Sequence, residues 1–128
     1  MPTDSDRQLP ERSERVQVKG GSLFACVNDA HRGDAPSILL SNGLATTHRL
    51  WDAQVAFLAR RYKVIRYDTR GHGQSDVPAG PYRLEQLVDD ALAVLNHFDV
   101  AEAAFMGISL GGMTGIGLAL AQSRFSRI

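Results

Sequence analysis

The segment AAFMGISLGGMTGIGLALA, residues 103–121, decides the fold of this chain. It starts with four apolar residues, as a buried strand does, and ends with the small and apolar residues of a helix. Between them, residues 107–111 read GISLG, a G-x-S-x-G turn. A serine at a sharp strand-to-helix turn needs neighbours without bulky side chains, and Gly107 and Gly111 provide that room. The bare pattern is common in glycine-rich turns, but this context predicts that Ser109 stands exposed as a nucleophile.

The start of the predicted helix supplies a second part of an acyl-transfer site. The backbone N–H of Leu110 follows the serine at the positive end of the helix dipole, where it can stabilise an oxyanion. In hydrolases with this turn, the acidic residue and the histidine of the triad follow the serine in the chain. Residues 110–128 contain no Asp, Glu or His. We therefore expect the N-terminal part of a hydrolase that lacks its own base.

The length and composition favour one globular domain. The 128 residues have a formal net charge of zero, which gives no reason to expect nucleic acid or a membrane as a partner. The single cysteine, Cys26, excludes an internal disulfide, and its apolar surroundings predict a buried, reduced, structural thiol. No His/Cys spacing suits a metal and no phosphate-binding loop is present, so we expect no metal and no cofactor.

The first residues predict a leader without structure. Residues 1–15 are rich in charge and nearly devoid of apolar side chains, which is typical of a disordered segment. They lack the apolar centre of a secretory signal, and no run in the chain is long enough to cross a bilayer. These features favour a cytoplasmic protein with a disordered leader over residues 1–15 and an incomplete domain over residues 16–128.

Apolar periodicity predicts alternating strands and helices. We expect strands at residues 16–18, 22–27, 37–40, 63–67 and 103–106, and helices after a Thr46 or Thr47 cap, at residues 84–98 and at residues 110–122. Such alternation implies an α/β fold, a mostly parallel sheet flanked by helices. The strands that continue the sheet beyond residues 103–106 are expected to be absent from this chain.

Three segments of this chain resemble α/β-hydrolases, and among them 3-oxoadipate enol-lactonases. They are LSNGL at residues 40–44, RYDTRGHGQSD at residues 66–76 and GISLGGM at residues 107–113, and GPY at residues 80–82 also fits. The likeness covers nearly everything after the leader. It is highly specific for the superfamily and less so for the lactonase branch. It implies the N-terminal portion of an α/β-hydrolase fold, with the C-terminal strands and the cap absent.

The resemblance also implies roles for individual residues. Asn42-Gly43 stands where many relatives have His-Gly, and the backbone N–H of Leu44 would be the second oxyanion donor beside that of Leu110. A plain strand-to-helix loop is the alternative for Leu44. Ser109 would attack the carbonyl of a small carboxylated enol-lactone, with a histidine farther along the chain as its base. Arginines near the pocket could bind the substrate carboxylate.

Residues 68–75 contain Asp, Arg, His and Ser, yet the resemblance implies a structural loop in which Asp68 and Arg70 pair. None of the chain's histidines is expected to be the triad base. Two precede the serine, which is the wrong order, and the other two are expected to be solvated or partly packed: His48 and His72, then His31 and His97.

Two questions stay open from the sequence. Trp51 is either core or, as the less favoured alternative, lines the acyl pocket behind Leu44. The parent protein is an enol-lactone hydrolase, or else a carboxylesterase or a carbon–carbon hydrolase of ring-cleavage products. A non-catalytic, truncated hydrolase-fold protein, or a gene remnant, is the alternative outside the enzyme class.

Overall fold

The computed structural model describes residues 11–29 and 34–121, together with the backbone of residues 125–127. Within these residues, the strands are β1 (Glu11–Val18), β2 (Gly21–Asn28), β3 (Ser37–Ser41), β4 (Lys63–Tyr67), β5 (Ala103–Gly107) and β6 (Phe125–Arg127). The α-helices are α1 (Asp52–Leu58), α2 (Leu84–His97) and α3 (Leu110–Ala121). A short 3-10 helix, His48–Trp51, leads directly into α1.

One mixed sheet, in the order β1-β2-β4-β3-β5-β6, organises the described residues. The pairs β1/β2 and β2/β4 are antiparallel, whereas β4, β3, β5 and β6 run parallel. Parallel neighbours need a crossover, and α1, α2 and α3 provide the three crossovers. The predicted α/β class and the mostly parallel sheet are confirmed.

Side chains of β3 and β4 alternate between two apolar cores. Leu39 and Ile65 face the core that includes α2 and α3, whereas Leu40 and Val64 face the smaller core under α1. Both central strands are therefore covered on both faces, which explains the continuous apolar run ILL in β3. The carboxyl ends of β3 and β5 lie side by side, with Ser41 in register with Gly107.

The expectation that the ordered domain begins only at residue 16 is wrong. β1 begins at Glu11 and pairs with β2 along its whole length. Residues 11–15 belong to an edge strand and are mostly exposed, so they carry charge instead of an apolar pattern. The remaining part of the proposed leader, residues 1–10, lies outside the described residues.

The sheet gains one three-residue strand past β5 that the sequence did not predict. After α3, residues 125–127 pair in parallel with β5, with Phe125 opposite Ala103. α3 itself ends at Ala121 in the described part of the chain, so the predicted end at residue 122 lies outside it. No helix among the described residues combines the length and the apolarity needed to span a membrane.

Candidate active site

The turn between β5 and α3 holds Ser109 in a strained backbone conformation. Its φ is +55°, which a residue with a side chain seldom adopts, and the residue is exposed. The Gly111 N–H donates to the carbonyl of Ile108 at 2.9 Å, and the Met113 N–H donates to that of Ser109 at 3.1 Å. These bonds start the helix directly at the serine. The result is the tight strand-to-helix turn that the G-x-S-x-G spacing predicts.

The turn requires glycines because neighbouring backbone segments approach too closely to leave room for a side chain. A Cβ at Gly107 would overlap the backbone of Gly111, and a Cβ at Gly111 would overlap the carbonyl of Ser41. The Ile108 N–H in turn donates to the carbonyl of Ser41 at 3.2 Å. The first turn of α3 therefore packs directly against the end of β3.

The loop after β3 lies beside the serine. A Cβ built on Gly43 would come within 3.7 Å of the Cβ of Ser109, so Gly43 and Ser109 are in contact range. In the part of the chain that the structure describes, the backbone N–H groups of Leu44 and Leu110 have no hydrogen-bond acceptor. The two predicted oxyanion donors therefore lie on adjoining loops, and neither N–H group is used in a hydrogen bond among the described residues.

Asn42 anchors this loop with both ends of its buried side-chain amide. Its Nδ2 donates to the carbonyl of Tyr67 at 2.8 Å, and its Oδ1 accepts from Nε1 of Trp51 at 2.9 Å. Trp51 is only 7% exposed and packs in the core under α1. The core interpretation of Trp51 therefore fits its surroundings, and its indole N–H also holds the loop that carries Leu44.

A tight turn follows at residues 43–46. Ala45 has φ of +60°, and the hydroxyl of Thr46 donates to the carbonyl of Gly43 at 2.6 Å. Thr47 is the N-cap of the 3-10 helix, its hydroxyl accepting from the Arg49 N–H at 3.3 Å. Of the two threonines expected to cap, Thr47 caps and Thr46 closes the turn.

Asp68 organises the neighbouring loop through a buried ion pair. Its Oδ1 lies 2.8 Å from Nδ1 of His48, and the same oxygen accepts from the His48 N–H at 2.7 Å. Hydrogen bonds to Asp68 and to Cys26 raise the pKa of His48 to about 9 against the opposing effect of burial. Burial would raise the pKa of Asp68, but hydrogen bonds from His48 and the Gln74 N–H hold it below its ordinary value. His48 is therefore a charged structural group bound to Asp68 instead of a free base.

The predicted ion pair between Asp68 and Arg70 is wrong. Arg70 reaches α2 instead, where its Nε and a terminal nitrogen bind the two carboxylate oxygens of Asp90 at 2.6 and 2.8 Å. Both side chains are buried. The sequence favoured Asp68 as the partner because it is close in the chain. The contact of Arg70 with Asp90 is a tertiary contact, which sequence spacing does not reveal.

The remaining histidines form no catalytic group in the described residues. His72 contacts the carbonyl of Arg70 at 3.1 Å, and His97 lies on the exposed end of α2, 3.0 Å from Glu14. His31 lies outside the described residues. In the described part of the chain, no three His, Cys, Asp or Glu side chains come together in a way that could hold a metal ion. Cys26 is buried and has no disulfide partner there.

A comparison with protein families identifies the fold. The family model described as the alpha/beta hydrolase fold matches residues 36–128. The chain belongs to the α/β-hydrolase family. The matched residues include all the loops described above, and the predicted resemblance is confirmed.

Three relatives in the α/β-hydrolase family show which of its members this chain resembles. It is 47% identical over 89 residues to 3-oxoadipate enol-lactonase 2 of Acinetobacter baylyi, covering 70% of this chain and 33% of that protein. It is 46% identical over 105 residues to enol-lactonase 1 of the same organism, covering 82% of this chain and 38% of that protein. The crystal structure of the enol-lactonase from Burkholderia xenovorans superposes with a TM-score of 0.84 at 42% identity, over 88% of this chain and 44% of that one. The chain thus spans about a third of the length of these curated relatives.

Proposed function

We propose that these residues form the N-terminal part of a serine hydrolase with Ser109 as nucleophile. The observation that carries the proposal is the exposed Ser109 at φ +55°, beside two uncommitted N–H groups. Strain of this kind persists where the surrounding structure enforces it, and it concentrates at functional sites. The N–H groups of Leu44 and Leu110 would hold the oxyanion formed when Oγ attacks a carbonyl carbon.

The base and the acid of the triad come, in this proposal, from residues beyond Ile128 in the full-length protein. Residues 110–128 contain no Asp, Glu or His, and the ring of His48 is bound to Asp68. A serine hydroxyl without a base is a poor nucleophile at neutral pH. We therefore expect the 128-residue chain to be inactive towards esters and lactones by itself.

The substrate we propose is a small carboxylated enol-lactone, since the relatives at 47% and 46% identity are 3-oxoadipate enol-lactonases. A downstream histidine would take the proton of the Ser109 hydroxyl as Oγ attacks the lactone carbonyl, and would return it to the enol oxygen as the ring C–O bond breaks. The enol of this acyl-enzyme would tautomerise to the ketone. Water, activated by the same histidine, would then hydrolyse the ester, releasing an oxo-dicarboxylate and restoring the serine. Trp51 would act indirectly, because its indole N–H binds Asn42 and so holds the loop that carries Leu44.

The first experiment reads the gene past the codon for Ile128. Further strands, with an Asp and a His in the loops that follow them, are expected. A stop codon at that point would instead favour a non-catalytic, truncated protein of this fold.

The second experiment replaces the nucleophile in the full-length gene product. Ser109→Ala should lower turnover of an enol-lactone by about three orders of magnitude or more, since loss of a triad member leaves only oxyanion binding. The fold, followed by circular dichroism, should not change. Ser37→Ala, at the far end of β3, is the matched control and should keep full activity. Near-normal turnover of Ser109→Ala would refute the assignment, and turnover of simple esters without lactones would move the substrate to the carboxylesterase class.

A further inference from the structure

The orientation of one peptide group beside Ser109 depends on a threonine. In a trans peptide the C=O and the N–H lie in one plane and point in opposite directions. The carbonyl of Gly43 accepts from the hydroxyl of Thr46 at 2.6 Å. Because that carbonyl is held towards Thr46, the Leu44 N–H of the same peptide is held pointing the opposite way, out of the turn.

The same peptide borders the proposed nucleophile. Gly43 is in contact range of Ser109, and the Leu44 N–H has no acceptor among the described residues. The loop is already anchored on its N-terminal side, because Asn42 is bound to Tyr67 and Trp51. On its C-terminal side the bond from Thr46 closes the turn.

We propose that Thr46 is a positioning residue for hydrolysis: its hydroxyl fixes the plane of the Gly43–Leu44 peptide and so aims the Leu44 N–H at the developing oxyanion. The inference rests on the proposed function and deepens it. Without the hydroxyl, the peptide can rotate away from the orientation that it needs in the transition state. Ala45 is held at φ +60° in this turn, so relaxation of the turn would relieve strain and favour that rotation. An oxyanion donor acts mainly in the transition state, so its misalignment lowers kcat and leaves KM nearly unchanged.

The test compares three threonine variants in the full-length gene product. Thr46→Val keeps the shape and removes the hydroxyl, Thr46→Ser keeps the hydroxyl, and Thr47→Val makes the same change at the neighbouring helix cap. Removal of a whole oxyanion donor costs about 10²–10³ in kcat, so Thr46→Val should lower kcat by at least ~10-fold with KM changed less than about twofold. Thr46→Ser should restore most of kcat, and Thr47→Val should keep kcat within about twofold of the parent.

A transition-state analogue gives a second readout. A boronic acid that forms a tetrahedral adduct on the serine should bind Thr46→Val more weakly by the same factor as the loss in kcat/KM. A substrate-like amide should bind it as before. If Thr46→Val does not fold by circular dichroism, Thr46→Ala and Thr46→Ser are compared in its place.

The outcomes separate this inference from the proposed function. Unchanged kcat in Thr46→Val, or equal losses in Thr46→Val and Thr46→Ser, would overturn the role of Thr46 while an inactive Ser109→Ala still supported the nucleophile. An active Ser109→Ala would overturn both.

Discussion

The two adjoining loops of the candidate site each contain one residue with a strained backbone. Ala45 and Ser109 have φ of +60° and +55°, and Gly43 brings the two loops together. For a residue with a side chain, the left-handed region costs roughly 1–2 kcal/mol. The strain at Ser109 agrees with the nucleophile role proposed for it, since strained residues concentrate at functional sites. At Ala45 a glycine would adopt the same turn without the steric cost.

Ala45→Gly should therefore stabilise the protein. Relief of the strain exceeds the added entropy of the unfolded chain, and we expect the free energy of unfolding to rise by roughly 0.5–1 kcal/mol. Ala53→Gly, in α1 with ordinary helical geometry, is the control and should lower it by a similar amount. Urea unfolding at one fixed protein concentration measures both. A loss of stability in Ala45→Gly would show that the turn is not strained as described.

The buried His48–Asp68 pair makes stability depend on pH. The pKa of His48 is raised to about 9 in the folded chain, whereas an unfolded histidine titrates near about 6.5. The stabilisation is therefore complete below about pH 6.5 and is lost as the pH rises through about 9, by at most roughly 3 kcal/mol. Because the pKa of Asp68 is lowered, its contribution is lost at the acid end instead.

His48→Gln should flatten the alkaline part of this profile. The charge facing Asp68 is removed, so the urea midpoint should change less between pH 6.5 and 9 than in the parent. His97→Gln replaces a histidine on the exposed end of α2 and serves as the matched control. Equal slopes for the parent and His48→Gln would assign the pH dependence to other groups.

At the scale of the elements, close contact of β5, α3 and β3 rests on glycines. Gly111→Ala should be severely destabilising, because its Cβ would overlap the carbonyl of Ser41 and force α3 away from β3. Gly112→Ala is the control one residue on, where a Cβ would meet only the carbonyl of Gly107 at 3.7 Å. We expect a loss of several kcal/mol, roughly 3 or more, for Gly111→Ala and a change below about 1 kcal/mol for Gly112→Ala. Similar thermal midpoints for the two variants would contradict this packing.

The sequence predicted the elements better than the contacts between them. The strand, turn and helix around Ser109 were predictable because the glycine spacing and the apolar periodicity are local signals. Residues 11–15 of the edge strand were missed, although residues 16–18 were predicted, because the charged residues of the first part face solvent and have no apolar pattern. The partner of Arg70 was misassigned because Asp90 approaches only through the packing of α2. The His48–Asp68 pair and the hydrogen bond from Thr46 to Gly43 were not predicted for the same reason, because no sequence pattern indicates them.

At the scale of the whole molecule, apolar side chains remain uncovered on one face of α3. Met113, Ile116 and Leu120 are 54%, 63% and 86% exposed. Their spacing of three and four places them on the same side of the helix. The opposite side of the helix is buried and includes Thr114 and Leu118. A soluble monomer seldom leaves such a row in water, so this face is suited to contact with further protein.

We therefore expect the 128-residue chain, purified by itself, to be partly unfolded or self-associated. Its size-exclusion elution should move with concentration, and it should run larger than a monomer. Changing Ile116→Gln and Leu120→Lys together removes apolar surface from α3 and should shift the elution towards the monomer. Phe57→Gln is the control, because Phe57 is 73% exposed on α1 and does not belong to the α3 face. A sharp monomer peak with cooperative thermal unfolding in the parent chain would mean that the α3 face tolerates water and that these residues form a self-sufficient domain.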